Sequence, residues 1–299
     1  MSAPNTQTGT VVAVFGRRFE LECSDGGRVN CVTRGKKHDA VCGDTVSFSM
    51  TGADTGVIEK VLPRRNYLER SDAFKRKGIA ANIDQVLVLA AVEPRASEEF
   101  LSRILLLADA AGVKTILALN KTDLPGVEAA RARLMLFVGA GHELIEFSAR
   151  PSGEATVTAP AILRERLAGH CTVLCGQSGM GKSSLVNALV PGATAVTGEL
   201  SSALGSGRHT TTFSRLYHID TSTTLIDCPG MQEVGIHHLS RADLAKGFRE
   251  FAPYLGHCRF SNCSHVHEPD CALRKQAEQG GIARERLALF QKLVAETGA

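Results

Sequence analysis

The stretch Gly-Gln-Ser-Gly-Met-Gly-Lys-Ser at Gly176–Ser183 decides the fold of the larger part of this chain. It follows an apolar strand candidate, Cys171–Cys175, and runs into a helical stretch, Ser183–Val190. Glycines let the backbone turn its N–H groups inward, and the start of the helix adds partial positive charge. In this context Lys182 is expected to reach the β- and γ-phosphates of a nucleotide, while Ser183 holds Mg²⁺. The pattern predicts a phosphate loop in an α/β domain.

A second motif, Asn-Lys-Thr-Asp at Asn120–Asp123, follows the strand candidate Lys114–Leu119. The Asp123 carboxylate only accepts hydrogen bonds, and guanine offers two donors side by side where adenine offers an acceptor. The motif therefore predicts guanine rather than adenine, which disfavours an ATPase. Ser148-Ala149, after the next strand candidate, fits a contact to the guanine carbonyl. The predicted nucleotide contacts are Asn120, Lys121, Thr122, Asp123, Ser148, Ala149, Gly176, Gln177, Ser178, Gly179, Met180, Gly181, Lys182, Ser183 and Ser184.

A third motif, Asp-Cys-Pro-Gly at Asp227–Gly230, ends the strand candidate Thr223–Ile226. Asp227 is expected to contact Mg²⁺, and the Gly230 N–H is expected to sense the γ-phosphate. The next residue, Met231, cannot orient an attacking water, so we expect slow hydrolysis unless another group or a partner supplies that function. His209 is the candidate for this role, and Thr211 is the candidate Mg²⁺ ligand; spacing leaves Thr210 and Thr212 open as alternatives.

The order of the motifs along the chain is unusual. The base-reading motif comes first, the phosphate loop second and Asp227–Gly230 last. Ras-like GTPases begin with the phosphate loop and place the base-reading motif near their end. All the parts are present, so the order indicates a circularly permuted domain.

A cluster of soft metal ligands lies near the C-terminus. Cys258, Cys263, His265 and Cys271 fall within fourteen residues. Three thiolates and one imidazole suit a closed tetrahedral Zn²⁺ site of the structural kind. His267 is the rival nitrogen ligand. A polar stretch of this length has little apolar content of its own, so we expect its folding to depend on the metal.

The remaining segments indicate a multidomain protein of α/β class. Short β-rich pieces separated by glycines fill residues 9–62 and predict a small barrel of the oligonucleotide-binding type, although an SH3-like barrel fits the same pattern. Strand–helix alternation from about residue 80 predicts a mostly parallel sheet. We expect a barrel at 1–65, a basic linker at 66–79, the permuted domain at 80–235 and a helical zinc domain at 236–299.

Composition and charge restrict how this protein can bind nucleic acid and where in the cell we expect it. The chain has 299 residues with a net charge of only +3, so affinity for nucleic acid must come from local patches. One such patch, residues 60–77, carries seven basic and two acidic residues. The sequence has neither a membrane-spanning apolar run nor a signal-peptide pattern, so we expect a cytoplasmic protein without membrane contacts. Monomer is the default expectation.

Together these features resemble the circularly permuted, ribosome small-subunit-dependent GTPase A family. The resemblance covers nearly the whole chain and includes Ala80–Gln85, which opens the permuted domain, and Gly207–Thr212. Cys228 departs from the family pattern, which has threonine there; we expect no effect because that side chain is not a ligand.

The resemblance implies an N-terminal oligonucleotide-binding barrel, a GTPase with Mg²⁺ and GTP, and a C-terminal domain with one structural Zn²⁺. It also favours His265 over His267 as the nitrogen ligand of that Zn²⁺. It also implies late maturation of the 30S ribosomal subunit, contact with 16S rRNA, and GTP hydrolysis that the subunit stimulates and that releases the protein. Under this interpretation the basic patch, with Arg34, Lys36 and Lys37, contacts rRNA. The alternative is an rRNA-binding assembly module that changes state when it binds GTP and has negligible catalysis. Met231 leaves this alternative open, because it cannot orient an attacking water.

Overall fold

The N-terminal part of the molecule is a closed five-stranded barrel. The computed structural model describes residues 6–34, 39–149, 161–190, 193, 213–228 and 234–298. Antiparallel pairs β1–β2, β2–β3, β4–β5 and β1–β4, with a parallel β3–β5 pair, close the barrel in the order 1-2-3-5-4-1, as in the oligonucleotide-binding fold rather than an SH3-like barrel. Its strands are β1 (Thr6–Phe15), β2 (Arg18–Cys23), β3 (Arg28–Thr33), β4 (Thr45–Met50) and β5 (Thr55–Val61).

A short hairpin occupies most of the segment that the charge pattern predicts to be a linker. Strands β6 (Tyr67–Ser71) and β7 (Arg76–Ala81) pair antiparallel. Buried Leu68 and Ile79 anchor one side of the hairpin on the main core. The two strands contain only a few apolar residues, and basic residues surround them, so their sequences do not show the apolar pattern that would predict a hairpin.

The permuted domain is built on the predicted parallel sheet. Its strands lie in the order β10-β9-β8-β11-β13-β12, in which only β12 runs antiparallel to its neighbour β13. All seven residues of β8 are buried, as expected for a strand covered on both faces. The strands are β8 (Gln85–Ala91), β9 (Lys114–Asn120), β10 (Glu143–Glu146), β11 (Cys171–Gly176), β12 (Ser214–His218) and β13 (Thr224–Asp227). The helices are α1 (Glu98–Ala110), α2 (Val127–Gly139), α3 (Ala161–Leu167) and α4 (Lys182–Leu189).

The barrel and the permuted domain share one sheet. Strand β1 pairs antiparallel with β12, so that Ala13 lies opposite Arg215 and Val14 opposite Ser214. The resulting sheet has eleven strands. The barrel is therefore joined to the permuted domain by backbone hydrogen bonds as well as by the chain.

The C-terminal part is helical and packs on α1. Ser240 caps its first helix through a capping box with Asp243. Phe248, Phe251 and Phe290 form an aromatic cluster with ring centroids 5.1–5.5 Å apart. The elements are α5 (Arg241–Gly247), a 3₁₀ helix (Arg249–Tyr254), α6 (Ala272–Gln279) and α7 (Arg284–Thr297). Among the described residues, no helix has the length and apolar character needed to cross a bilayer.

The topology brings the three sequence motifs to one place. Strands β9, β11 and β13 are parallel members of the sheet, and they end at Asn120, Gly176 and Asp227. Ligands of open α/β sheets bind outside the carboxyl ends of such strands. The described residues of the three motifs therefore lie at one edge of the sheet, although the motifs occur in an unusual order along the chain.

Candidate functional site

The predicted phosphate loop joins β11 to α4. At two of its glycines, neighbouring atoms leave no room for a side chain. A Cβ atom on Gly181 would lie 2.4 Å from Asn120 Nδ2, and one on Gly176 would lie 2.9 Å from the Leu89 carbonyl oxygen. Gly181 also has a φ of +95°, in the left-handed region that favours glycine. The loop thus passes too close to neighbouring strands for any side chain at these positions.

Lys182 lies inside this loop. Its ammonium group donates to the carbonyl oxygens of Gly176 (2.6 Å) and Gln177 (2.8 Å). Burial lowers the pKa of Lys182, and the charge of Asp227 partly opposes that shift. A partly desolvated ammonium with only neutral carbonyl partners interacts strongly with an added anion. The position suits a phosphate ligand.

Asn120 has a structural role that the sequence does not predict. Its side chain is 2% exposed, its amide donates to the Met180 carbonyl (3.0 Å), and its Oδ1 accepts the Ala149 N–H (3.0 Å). One amide therefore connects the base-reading motif, the phosphate loop and the Ser148-Ala149 pair. Contact between Asn120 and a base remains a prediction.

The predicted base-reading residues border a cleft of about 210 Å³. Ser148 donates its hydroxyl hydrogen to Asp123, which fixes that carboxylate at the cleft wall. Lys121 has a φ of +63°, and its ammonium group donates to the Glu93 carbonyl (2.7 Å). The cleft is lined by Asn120, Lys121, Asp123, Leu124, Ala149, Gly181 and Ser184.

Asp227 is the buried acid of the site. Its Oδ1 atom is buried and has no hydrogen-bond partner among the described residues. Burial raises its pKa above the ordinary value of 3.8, and Lys182 partly offsets the shift. A buried carboxylate oxygen without a partner is costly, and a divalent cation or its bound water would satisfy it. The donor set at this position fits Mg²⁺.

We expect an Asp227→Asn variant to be more stable than the parent at neutral pH. Because the folded-state pKa is raised, the penalty is absent below pH 3.8 and appears as the pH rises through the folded pKa. The gain in free energy of unfolding at pH 7 should be about 1 kcal/mol, measured by urea denaturation without nucleotide or Mg²⁺, and should disappear near pH 3.

Asp220→Asn provides the control with the opposite sign. Hydrogen bonds from the Ser222 and Thr223 N–H groups hold the pKa of the exposed Asp220 carboxyl below its ordinary value. Its replacement should therefore destabilise the protein at neutral pH. A loss of stability in Asp227→Asn at pH 7 would contradict the assignment of Asp227 as an uncompensated buried charge.

Several predicted site residues lie outside the described residues. These are Gly230 with Met231, and the candidates His209 and Thr211 with the alternatives Thr210 and Thr212. Lys36 and Lys37 of the proposed rRNA contact also lie outside them. Their roles stay predictions.

The C-terminal cluster converges on a common point. Ligand atoms of Cys258, Cys263, His265 and Cys271 all lie within 4.8 Å of one another. His265 Nδ1 is 3.4 Å from both Cys258 Sγ and Cys271 Sγ, and those two sulfurs are 4.0 Å apart. Tetrahedral zinc with bonds of about 2.3 Å to sulfur places sulfurs about 3.8 Å apart. The group can hold a metal ion.

The surroundings of the cluster favour His265 over its rival. The His265 carbonyl accepts a hydrogen bond from Gln291 in α7 (2.9 Å), and the ring lies near Phe290. The Ala272 N–H donates to Cys258 Sγ (3.3 Å), as is common for metal-bound thiolates. His267 is exposed and is not part of the group.

Comparison with known proteins agrees with this arrangement. The sequence profile of the RsgA GTPase family matches residues 61–237. The small ribosomal subunit biogenesis GTPase RsgA of Paraburkholderia xenovorans (strain LB400) is 48% identical, and the match covers 96% of this chain and 92% of that protein. The protein of the same name from Ralstonia nicotianae (strain ATCC BAA-1114 / GMI1000) is 45% identical, with 99% and 93% covered.

Solved structures show the same architecture. YjeQ from Thermotoga maritima superposes with a TM-score of 0.69 at 29% identity, over 98% of this chain and 99% of that one. YloQ, described as a circularly permuted GTPase, superposes with a TM-score of 0.66 at 22% identity, over 98% and 96% of the two chains. The likeness to YloQ shows the shared fold. With its motifs gathered at one sheet edge and its relatives matched along almost their full length, this chain belongs to the RsgA family of GTPases.

Proposed function

We propose that this GTPase binds the small ribosomal subunit, assists its late maturation, and hydrolyses GTP to release itself. The observation that carries the proposal is the meeting of Asp123, Lys182 and Asp227 at one edge of the sheet. It occurs in a chain that is 48% identical to a protein named as a small ribosomal subunit biogenesis GTPase.

Each group at the site has a distinct chemical role in this proposal. Asp123 selects guanine, and Lys182 and the loop N–H groups neutralise the phosphates. Ser183, Thr211 and Asp227 would hold Mg²⁺, which would supply charge neutralisation of the β- and γ-phosphates. Gly230 would sense the γ-phosphate, and His209 would orient the attacking water. Zn²⁺ at the four C-terminal ligands would be structural, because all of its positions are filled by protein.

The hairpin supports the proposed contact with 16S rRNA. Lys75, Arg76 and Lys77 lie at or beside its turn, and the Phe74 side chain at the tip is 99% exposed. Exposed cations beside an exposed aromatic ring suit RNA, through phosphate charge and base stacking. Arg64 does not share this role, because it forms an ion pair with the fully buried Asp44 at 2.7 Å.

We expect purified 30S subunits to increase GTP turnover by at least about tenfold. The physical reason is that Met231, the residue directly after Gly230, cannot form the hydrogen bond that would orient the catalytic water. Steady-state phosphate release with and without subunits measures the effect, with 50S subunits as the control. Equal turnover with both subunits would contradict the ribosomal assignment. Single-turnover phosphate release on the 30S subunit tests the alternative of a switch module with negligible catalysis.

A further inference from the structure

The chain that leaves the γ-phosphate motif is fixed on one side by the hairpin. The Ser71 N–H donates to the Gly235 carbonyl (2.9 Å), and the His238 N–H donates to Ser71 Oγ (2.8 Å). A Cβ atom on Gly235 would lie 2.1 Å from the Ser71 carbonyl oxygen. The backbones of these two segments are therefore in direct contact.

Arg103 of α1 fixes the same segment on its other side. One guanidinium nitrogen donates to the Val234 carbonyl (3.2 Å) and to Glu296 of α7 (2.7 Å). The other terminal nitrogen donates to Glu99 (2.7 Å) and also contacts Glu296. The side chain is only 12% exposed, and hydrogen bonds to the two carboxylates raise its pKa. A single, largely buried guanidinium thus joins α1, the C-terminal helix and the segment that begins at Val234.

The phosphate loop is fixed to the beginning of the same helix. Gln177 Oε1 accepts the N–H of Ser97, which is the N-cap of α1 (2.8 Å). Ser97 and Arg103 are separated by less than two turns, or about 9 Å along the helix axis. Helix α1 therefore carries both the loop that is predicted to bind the phosphates and the segment that follows the predicted γ-phosphate sensor.

We infer that Arg103 is a positioning residue for GTP hydrolysis. Arg103 holds Val234, which follows the predicted γ-phosphate motif in the sequence, and the helix that carries Arg103 also holds Gln177 of the phosphate loop. Fixing two parts of a site relative to each other lowers the entropic cost of a productive geometry. Arg103 thereby sets the segment after the γ-phosphate motif against the phosphate loop, and it makes that setting depend on the C-terminal helix through Glu296.

The test compares Arg103→Met with Arg249→Met in the full-length, metal-loaded protein. Arg249 forms a separate ion pair between α1 and the C-terminal part, with Asp109 at 2.7 Å, and no described hydrogen bond connects it to Val234. We expect Arg103→Met to lower single-turnover GTP hydrolysis by about tenfold while the Kd for GTP changes by less than about twofold. Arg249→Met should leave both quantities within about twofold. Subunits are absent from the assay, so its result is independent of the ribosomal proposal.

Conservative variants separate positioning from folding. Arg103→Lys keeps the charge but places all of its donors on a single nitrogen, and it should recover part of the hydrolysis that Arg103→Met loses. Glu296→Gln retains Arg103 and Val234 and should lower hydrolysis by about threefold. Equal losses in Arg103→Met and Arg249→Met would overturn the inference, as would a rise in the Kd for GTP that matches the loss of rate. If Arg103→Met fails to fold, unchanged hydrolysis in both Arg103→Lys and Glu296→Gln would overturn it.

Discussion

An Asp123→Asn variant is expected to lose affinity for GTP by about 10³-fold or more and to prefer XTP. The carboxylate of Asp123 accepts hydrogen bonds from the two adjacent donors of guanine, and an amide replaces one of its acceptors with a donor. That donor would face the exocyclic amine of guanine, leaving two hydrogens opposed in the cleft. Xanthine carries a carbonyl oxygen in place of this amine and so restores the pairing. Competition between fluorescent GTP and unlabelled XTP measures the change.

The local structure allows this substitution without disturbing the cleft. One partner of Asp123 is the Ser148 hydroxyl, which can donate to an amide oxygen as it does to a carboxylate oxygen. Ser148→Ala is the matched control, because it removes this support and leaves the base-reading acceptor; we expect it to weaken GTP and XTP binding alike. Retained preference for GTP over XTP in Asp123→Asn would show that another residue reads the base.

A Cys263→Ser variant is expected to lose its bound metal and to destabilise the C-terminal part by about 3 kcal/mol or more. A serine hydroxyl is a poor ligand for Zn²⁺, and three remaining ligands leave an open position. The cluster holds the polar stretch between the 3₁₀ helix and α6, which contributes few buried apolar side chains. Elemental analysis gives the metal identity and stoichiometry, and protease susceptibility of residues 255–271 reports the local loss of structure.

Two variants serve as controls for this prediction. His267→Ala tests the rival nitrogen ligand, and Cys23→Ser tests a cysteine of the barrel that is remote from the cluster. Both should retain one equivalent of metal. Full metal occupancy in Cys263→Ser would exclude this ligand set, and bound iron in place of zinc would revise the identity of the metal while keeping the site.

The elements with strong periodic patterns could be predicted from the sequence. The strand candidates Lys114–Leu119 and Cys171–Cys175 match β9 and β11 within one residue at each end, and the helical stretch Ser183–Val190 matches α4 equally closely. The hairpin strands β6 and β7 and the strand β12 (Ser214–His218) were not predicted, because their own sequences are largely polar. Their strand conformation comes from pairing with distant segments, as β12 does with β1 and β13.

In the site, too, features set by local sequence could be predicted, and features set by tertiary contacts could not. Residues whose role follows from their own chemistry, such as Asp123 and Lys182, could be named from motifs alone. The supporting roles of Asn120 and Arg103 depend on contacts between distant segments, Asn120 with Met180 and Arg103 with Glu296. No local sequence pattern predicts these contacts. The predicted domain boundaries remain a proposal, because the shared sheet and the helix contacts join the parts closely.

The pairing of β1 with β12 also bears on the solubility of the protein. A sheet edge with unpaired backbone groups is a template for association between chains. The barrel covers the edge that β12 would otherwise present, while at the opposite end β10 is only four residues long and carries Glu143 and Glu146, both in ion pairs. Short, charged edges of this kind resist pairing with other chains. A fragment without the barrel would uncover β12, so the barrel also closes this edge of the sheet to pairing with other chains.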